Sequence, residues 1–227
     1  MDNEKTLPIL NEVLRRWVRM EPGLVSNVDC VSCSNSIARP AFAERWRQYK
    51  CCTFQPFVAG FYCGAHIVAH GQLPADAESK AVLQPIGVMA AHEYRKRHEQ
   101  LSEDEHGNEQ LCAFYMAGRC QIWSHRPGEC SLHFCTQDAG RARREDWKIR
   151  SFQLESALSQ MALAHLGFGP RELAQQVEWL NEPTPFMPSM KRADVEEIYV
   201  ASWRWVERQS VSDILTWAGF DNSRTAE

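Results

Sequence analysis

No run in this chain approaches the roughly 18 unbroken apolar residues that a membrane helix needs, so no membrane span is expected. An excess of positive charge is also missing. Lys and Arg number 25 against 29 Asp and Glu, for a net charge of −4. That balance argues against a protein built to coat nucleic acid. The opening stretch, MDNEKTLPILNEVLRRWVRM, begins with acids and lacks a continuous apolar segment and a small-residue cleavage site. It does not read as a signal peptide, and the expected compartment is the cytoplasm, where thiols stay reduced. Nor does the chain carry a Walker loop, a dinucleotide fingerprint or a Ser-His-Asp arrangement readable from spacing.

Recurring strand alternation is lacking too, which leaves a mainly α fold. Leu7, Leu10, Leu14, Trp17 and Val18 recur at helical steps over residues 6–20. Residues 24–56 look irregular, apart from a short helix around 41–48. Phe57 to His70 reads as a buried helix stopped by a turn at Gly71 to Pro74. Residues 75–100 carry helical pieces around Gly87, and the acidic run Gln100 to Gln110 reads as an exposed loop.

From Ala142 the pattern is plain helix, with Trp147, Leu154, Leu158, Met161 and His165 on one face and Gly167 to Pro170 as its stop. Further helices are expected over 171–181 (Leu173, Val177 and Leu180 inward), 192–208 (Val195, Ile198, Tyr199, Ser202 and Val206) and 211–219. The chain is therefore expected to be a single domain over 1–227, a helical frame carrying irregular cysteine-rich metal-binding loops. The cysteine-rich part covers about 28–140 and the C-terminal helical part about 141–220.

What the chain has in quantity is cysteine. Cys112, Cys120, Cys130 and Cys135 are separated by seven, nine and four residues. Cys30, Cys33, Cys51 and Cys52 lie upstream. Nine cysteines cannot all pair internally, and in a reducing compartment thiols at this density point to a soft metal. A metal needs thiolates converging within about 2.3 Å of one centre, so tight turns between ligands help. Cys30-x2-Cys33 can supply two ligands from one turn. Ala117-Gly118-Arg119 and Arg126-Pro127-Gly128-Glu129 supply turns before Cys120 and Cys130. A short strand is expected at Gln121 to Trp123. The second Cys-x2-Cys of a zinc ribbon and the ferredoxin spacings are both absent, so spacing leaves zinc and an iron–sulfur cluster open.

The element Cys120-Gln121-Ile122-Trp123, followed by Arg126-Pro127 ahead of Cys130, resembles the YkgJ-type cysteine-cluster family, described as zinc- or iron-chelating. Cys112 matches that family's cysteine before this element. Cys30-x2-Cys33 and Cys51-Cys52 look like its Cys-x2-Cys and Cys-Cys elements. The runs KCCTFQPF and IWSHR resemble one bacterial subgroup. The resemblance covers roughly residues 28–150 and implies metal chelation by Cys30, Cys33, Cys51, Cys52, Cys112, Cys120, Cys130 and Cys135. Seventeen residues separate Cys33 from Cys51, where the commoner pattern has only a few.

Four thiolates fill a tetrahedral zinc or a cubane cluster. Adjacent Cys51 and Cys52 rarely both reach one small ion, because neighbouring side chains diverge. The expectation is one four-thiolate centre, holding zinc or an iron–sulfur cluster, with the remaining thiols left for a second metal or redox work. The alternative class is an iron–sulfur or iron-dependent oxidoreductase, or a protein-modifying enzyme, with an open metal position. A protein partner or substrate stays open; nucleic acid and membrane are not expected.

Among the remaining candidates, Cys63 in FYCGAH reads as a small core residue. His66 and His70, four apart on a helix, have a zinc-compatible spacing but read better as surface or supporting histidines. His125 and His133 could donate to a metal or a cluster sulfur. Arg126 could balance the charge of a four-thiolate site by hydrogen bonding its sulfurs, or bind an anionic substrate. Arg141, Arg143 and Arg144 read as a solvated helix start. Trp203 and Trp205 cannot both face the core, so one is expected at a partner surface.

Overall fold

The computed structural model describes residues 55–74, 81–91, 96, 100, 112–116, 119–122, 127–133, 141–181 and 190–217. The predicted helices at 6–20 and 41–48 and the acidic run at 101–110 lie outside the described residues. In chain order the elements are β1 (Val58–Ala59), α1 (Gly60–His70), β2 (Ala81–Gln84), β3 (Gly87–Ala90), β4 (Tyr115–Met116), β5 (Arg119–Cys120), α2 (Gly128–His133), α3 (Arg141–His165), α4 (Pro170–Asn181), α5 (Arg192–Val206) and α6 (Val211–Trp217). Helix predominates among the described residues, as the mainly α expectation requires. The four C-terminal helices fall within about two residues of their predicted bounds, the usual uncertainty at helix ends.

Two expectations are corrected. The stretch around Gly87 is not helical: β2 and β3 form an antiparallel hairpin around Pro85-Ile86, with Gln84 opposite Gly87 and Leu83 opposite Val88. β1 adds to the other side of β3, giving the order β1-β3-β2. A four-residue apolar run carries no period that separates strand from helix, which is why the sequence pattern misleads here. The helical frame satisfies this hairpin from outside. Gln176 on α4 accepts the Ile86 N–H at 3.2 Å, and the Tyr199 hydroxyl on α5 donates to the Gln84 carbonyl at 2.7 Å. The second correction concerns Gln121 and Ile122, which form a turn. The strand lies just before them, β5, paired with β4 so that Tyr115 faces Cys120.

The helix expected over Phe57 to His70 begins only at Gly60, because Val58 and Ala59 pair with β3 as β1, and its first N–H, at Gly60, is taken by the Ile86 carbonyl at 2.9 Å. Gly71 closes the helix in the left-handed region (φ 88°), donating its N–H to the Ile67 carbonyl at 2.7 Å. Gly167, at φ 95°, follows the end of α3 and donates its N–H to the Ala164 carbonyl at 3.1 Å. Cys63 is fully buried mid-helix, as expected of a small core residue.

The central contact of the core is α1 against α5. A Cβ at Gly64 would overlap the Tyr199 carbonyl, and one at Gly60 would sit 2.8 Å from the Tyr199 ring. These glycines, one helical turn apart, let the two helices approach at backbone distance. Around them Phe61, Phe114, Leu154, Leu158, Leu163, Trp179 and Tyr199 are fully buried. On α4 the buried residues are Gln176, Trp179 and Leu180, while Leu173 and Val177 are half-buried. Leu173 and Val177 pack against the core alongside Leu180, as predicted, and Gln176 joins this inward side through its bond to the hairpin. No helix among the described residues is long and apolar enough to cross a membrane.

Replacing Gly64 with Val should cost about 3 kcal/mol, the upper range for overpacking, because the neighbour is backbone that cannot repack. Denaturant unfolding of the G64V variant would show the loss as a lower midpoint.

Candidate functional site

Three of the eight thiols assigned to a metal lie in described residues: Cys112, Cys120 and Cys130. Cys30, Cys33, Cys51, Cys52 and Cys135, with Arg126 and His125, lie outside them. Of His133 and of Arg141, Arg143 and Arg144 only the backbone is described, within α2 and α3. Among the described residues, no three of His, Cys, Asp and Glu converge closely enough to hold a metal ion.

Cys112 and Cys120 belong to one hairpin. Tyr115 donates its N–H to the Cys112 carbonyl at 2.9 Å and stands opposite Cys120 across the β4–β5 pair. Phe114 and Ile122 root this hairpin in the core, both at most 2% exposed. Cys112 is buried and Cys120 half-buried. The buried amide of Gln55 fastens the start of the hairpin. Its Oε1 accepts the Ala113 N–H at 2.9 Å and the Cys112 thiol at 3.4 Å. Gln55 follows Cys52 by three residues, so this side chain ties the stretch after the Cys-Cys pair to the turn bearing Cys112.

Cys130 is half-buried in α2, whose approach to α3 is fixed by a buried carboxylate. Glu155 Oε1 accepts from the Gly128 N–H at 2.8 Å, from the Tyr62 hydroxyl at 3.1 Å and from the Ser151 hydroxyl at 3.4 Å. One oxygen therefore joins α1, the start of α2 and α3. A Cβ on Gly128 would strike the Ser151 hydroxyl, so only glycine lets α2 sit this close to α3. Pro127 beside it is buried, consistent with a turn whose backbone is held rigid.

Burial pushes the Glu155 carboxyl up to about 7, with nearby Glu129 adding to the rise and the three hydrogen bonds opposing it. Burial likewise raises the Tyr62 hydroxyl, with Glu155 contributing, and the Cys63 thiol.

Of the two readings of His66, surface or supporting, its burial excludes the first. It is 5% exposed and meets the Phe114 ring edge-on at 6.3 Å, while His70 is exposed, its ring 4.5 Å from that of His66. Trp203 and Trp205 are both half-buried. The Cβ of Trp203 lies against Gly64, and Trp205 stacks between His165 and Trp217. His165, expected inward, is exposed apart from that stacking.

Sequence reasoning missed Gln55, Tyr62, Ser151 and Glu155. A signal existed for two of them. Ser151 and Glu155 share the inward side of α3 with Leu154 and Leu158, and polar residues on an otherwise apolar face announce a buried network.

Comparison of the chain with family models, with curated proteins and with solved structures returned no match.

The raised Glu155 carboxyl fixes a pH dependence. Unfolded, it titrates near 4.5, so between 4.5 and about 7 the native state binds the extra proton. Stability from this group is complete below 4.5, falls as pH rises to about 7 and is level above. The fall is on the order of 3 kcal/mol from the pKa difference. Chemical denaturation across this pH range should show it in the wild type, and the E155Q variant should lack it.

Proposed function

We propose that this chain is a metal-binding protein with a multi-cysteine centre, holding zinc or an iron–sulfur cluster. The observation that carries the reading is the way buried polar side chains fasten the cysteine-bearing turns. Gln55 grips the turn of Cys112, and Glu155 grips the turn leading to Cys130. Core-level fixation of loops that carry thiols is what a preorganised ligand set needs. The eight ordered cysteines and the Arg-Pro element of the YkgJ-type pattern point the same way.

The donor chemistry suits a soft ion; because Cys112, Cys120 and Cys130 do not converge as a group, not all three would serve one centre as they stand. A complete tetrahedral set would draw further sulfur from Cys30, Cys33, Cys51, Cys52 or Cys135. The bound group would supply either a closed structural cross-link, as zinc, or one-electron chemistry, as a cluster. Gln55 sets a condition on loading. Its oxygen now accepts the Cys112 proton, and a ligating thiolate has no proton to give. Ligation by Cys112 would therefore end this bond and leave the Gln55 oxygen to the Ala113 N–H alone.

Protein purified without oxygen should carry zinc or iron at a fixed ratio to chain, iron being accompanied by acid-labile sulfide. Cys112→Ala, Cys120→Ala and Cys130→Ala should each lower the metal content severalfold. Cys63→Ala should leave it unchanged, since that thiol sits in the helical core. A folded wild-type protein with neither metal nor sulfide would refute the reading.

A further inference from the structure

The outer side of α5 lines an open cleft of about 750 Å³ together with Ile67 of α1 and with His165 and Leu166 at the end of α3. Val200 and Ala201 lie at its middle, half-buried. Charge is divided along α5 by sign. Glu196 and Glu197 stand on the N-terminal side of that midpoint, Arg204 and Arg208 on the C-terminal side. Glu196 is bridged to Arg192 at 2.7 Å, whereas Glu197 and Arg204 are exposed with no ion-pair partner among the described residues.

This face is complementary to itself. Turned end over end about the point between Val200 and Ala201, Glu197 of one helix falls opposite Arg204 of the other. Ala193 falls opposite Arg208, Glu196 opposite Trp205, and Val200 opposite Ala201. In a two-fold interface one patch contacts its own copy, so an unpartnered Glu and Arg at mirrored positions can satisfy each other twice. Antiparallel α5 helices would also oppose their macrodipoles favourably. Trp205 lines the same cleft, stacked on Trp217, which is 44% exposed, and interface cores are enriched in such aromatics.

We propose that the α5 face is the docking surface for a second copy of this chain, giving an antiparallel α5–α5 dimer with two reciprocal Glu197–Arg204 pairs. A small anion would use only the arginine end and leave Glu197 unmatched; a second copy uses both ends at once. Exposed ion pairs are individually weak, so the apolar middle carries most of the attraction and the charges set the register.

Symmetry makes the proposal sharp to test, because every substitution enters twice. The full chain is followed by sedimentation equilibrium from low micromolar to submillimolar concentration. The wild type should dimerise, more weakly as salt rises. Glu197→Arg and Arg204→Glu should each weaken self-association about tenfold or more, since both pairs become like-charged. An equimolar mixture of the two variants should restore a dimer, because the heterodimer has only opposite-charge pairs. The double variant should restore it as well. Both positions are exposed, and circular dichroism should show each variant folded. A wild type that stays monomeric throughout, or single variants that dimerise as well as the wild type, or a mixture that fails to recover association, would overturn the proposal.

Discussion

A single carboxylate oxygen holds three parts of this protein in register. Glu155 Oε1 takes a hydroxyl from α1, a backbone N–H from the start of α2 and a hydroxyl from its own helix. Burying a carboxyl without partners would cost several kcal/mol, and the protein meets that cost with donors already fixed by other packing. The bond to Gly128 needs α2 to come within a distance that no side chain would allow, so the glycine and the glutamate require each other. Burial raises the carboxyl to about 7, so the folded protein keeps a proton that the unfolded chain loses near 4.5. The site would not tolerate an apolar replacement, which leaves the Gly128 N–H buried and unanswered.

The same device recurs across the molecule. Gln55 answers the Ala113 N–H, Gln176 answers the Ile86 N–H, Tyr199 reaches the Gln84 carbonyl and Arg192 reaches the Leu73 carbonyl at 2.9 Å. In each case a helix or a buried loop supplies a side chain that satisfies backbone in a short, irregular segment. Strands of two to four residues cannot satisfy themselves, and helices too short for their own packing lean on longer ones. The close α1–α5 crossing at Gly60 and Gly64 makes this possible, because it brings Tyr199 near enough to the hairpin for its hydroxyl to bond there.

The parts of this arrangement that were legible in the sequence are those with a long period. The helices over 171–181, 192–208 and 211–219, and the long one ending at Gly167, follow from apolar spacing and from glycine stops. Cys63 was legible because a small thiol inside an apolar helix has few other places to go. The hairpin at 81–90 was not, since four-residue strands have no period to read and the partners that fix them lie some 90 to 115 residues downstream. For the same reason the burial of Gln176 on α4 was not legible, since it follows from a contact to Ile86. Whether His66 lies at the surface or in support was not legible either, because its ring partner, Phe114, is remote in sequence. The Glu155 network combines both difficulties. Its helix was predictable, yet its purpose depends on Tyr62 and Gly128, neither of which carries a local signal.

The division of labour in the core bears on how metal and fold would be coupled. Phe61, Leu154, Leu158, Leu163, Trp179 and Tyr199 form the centre from α1, α3, α4 and α5, and no cysteine among the proposed ligands belongs to these helices. The hairpin of Cys112 and Cys120 joins that centre through Phe114 and Ile122, with Cys120 left half-buried. In small zinc domains the metal is the core, and binding energy is folding energy. Here the apolar centre is drawn from four helices that carry none of the proposed ligands, and the thiol-bearing turns hang from it by Gln55, Glu155 and two apolar roots. A metal centre built on such turns would draw its preorganisation from the frame. It would return stability chiefly to the turns, through the loop closure that cross-linking removes from the unfolded chain. Coupling between the two would run through those few buried polar contacts, which makes the Gln55 amide, bonded to both a cysteine sulfur and the adjoining backbone, the place where occupancy and local order meet.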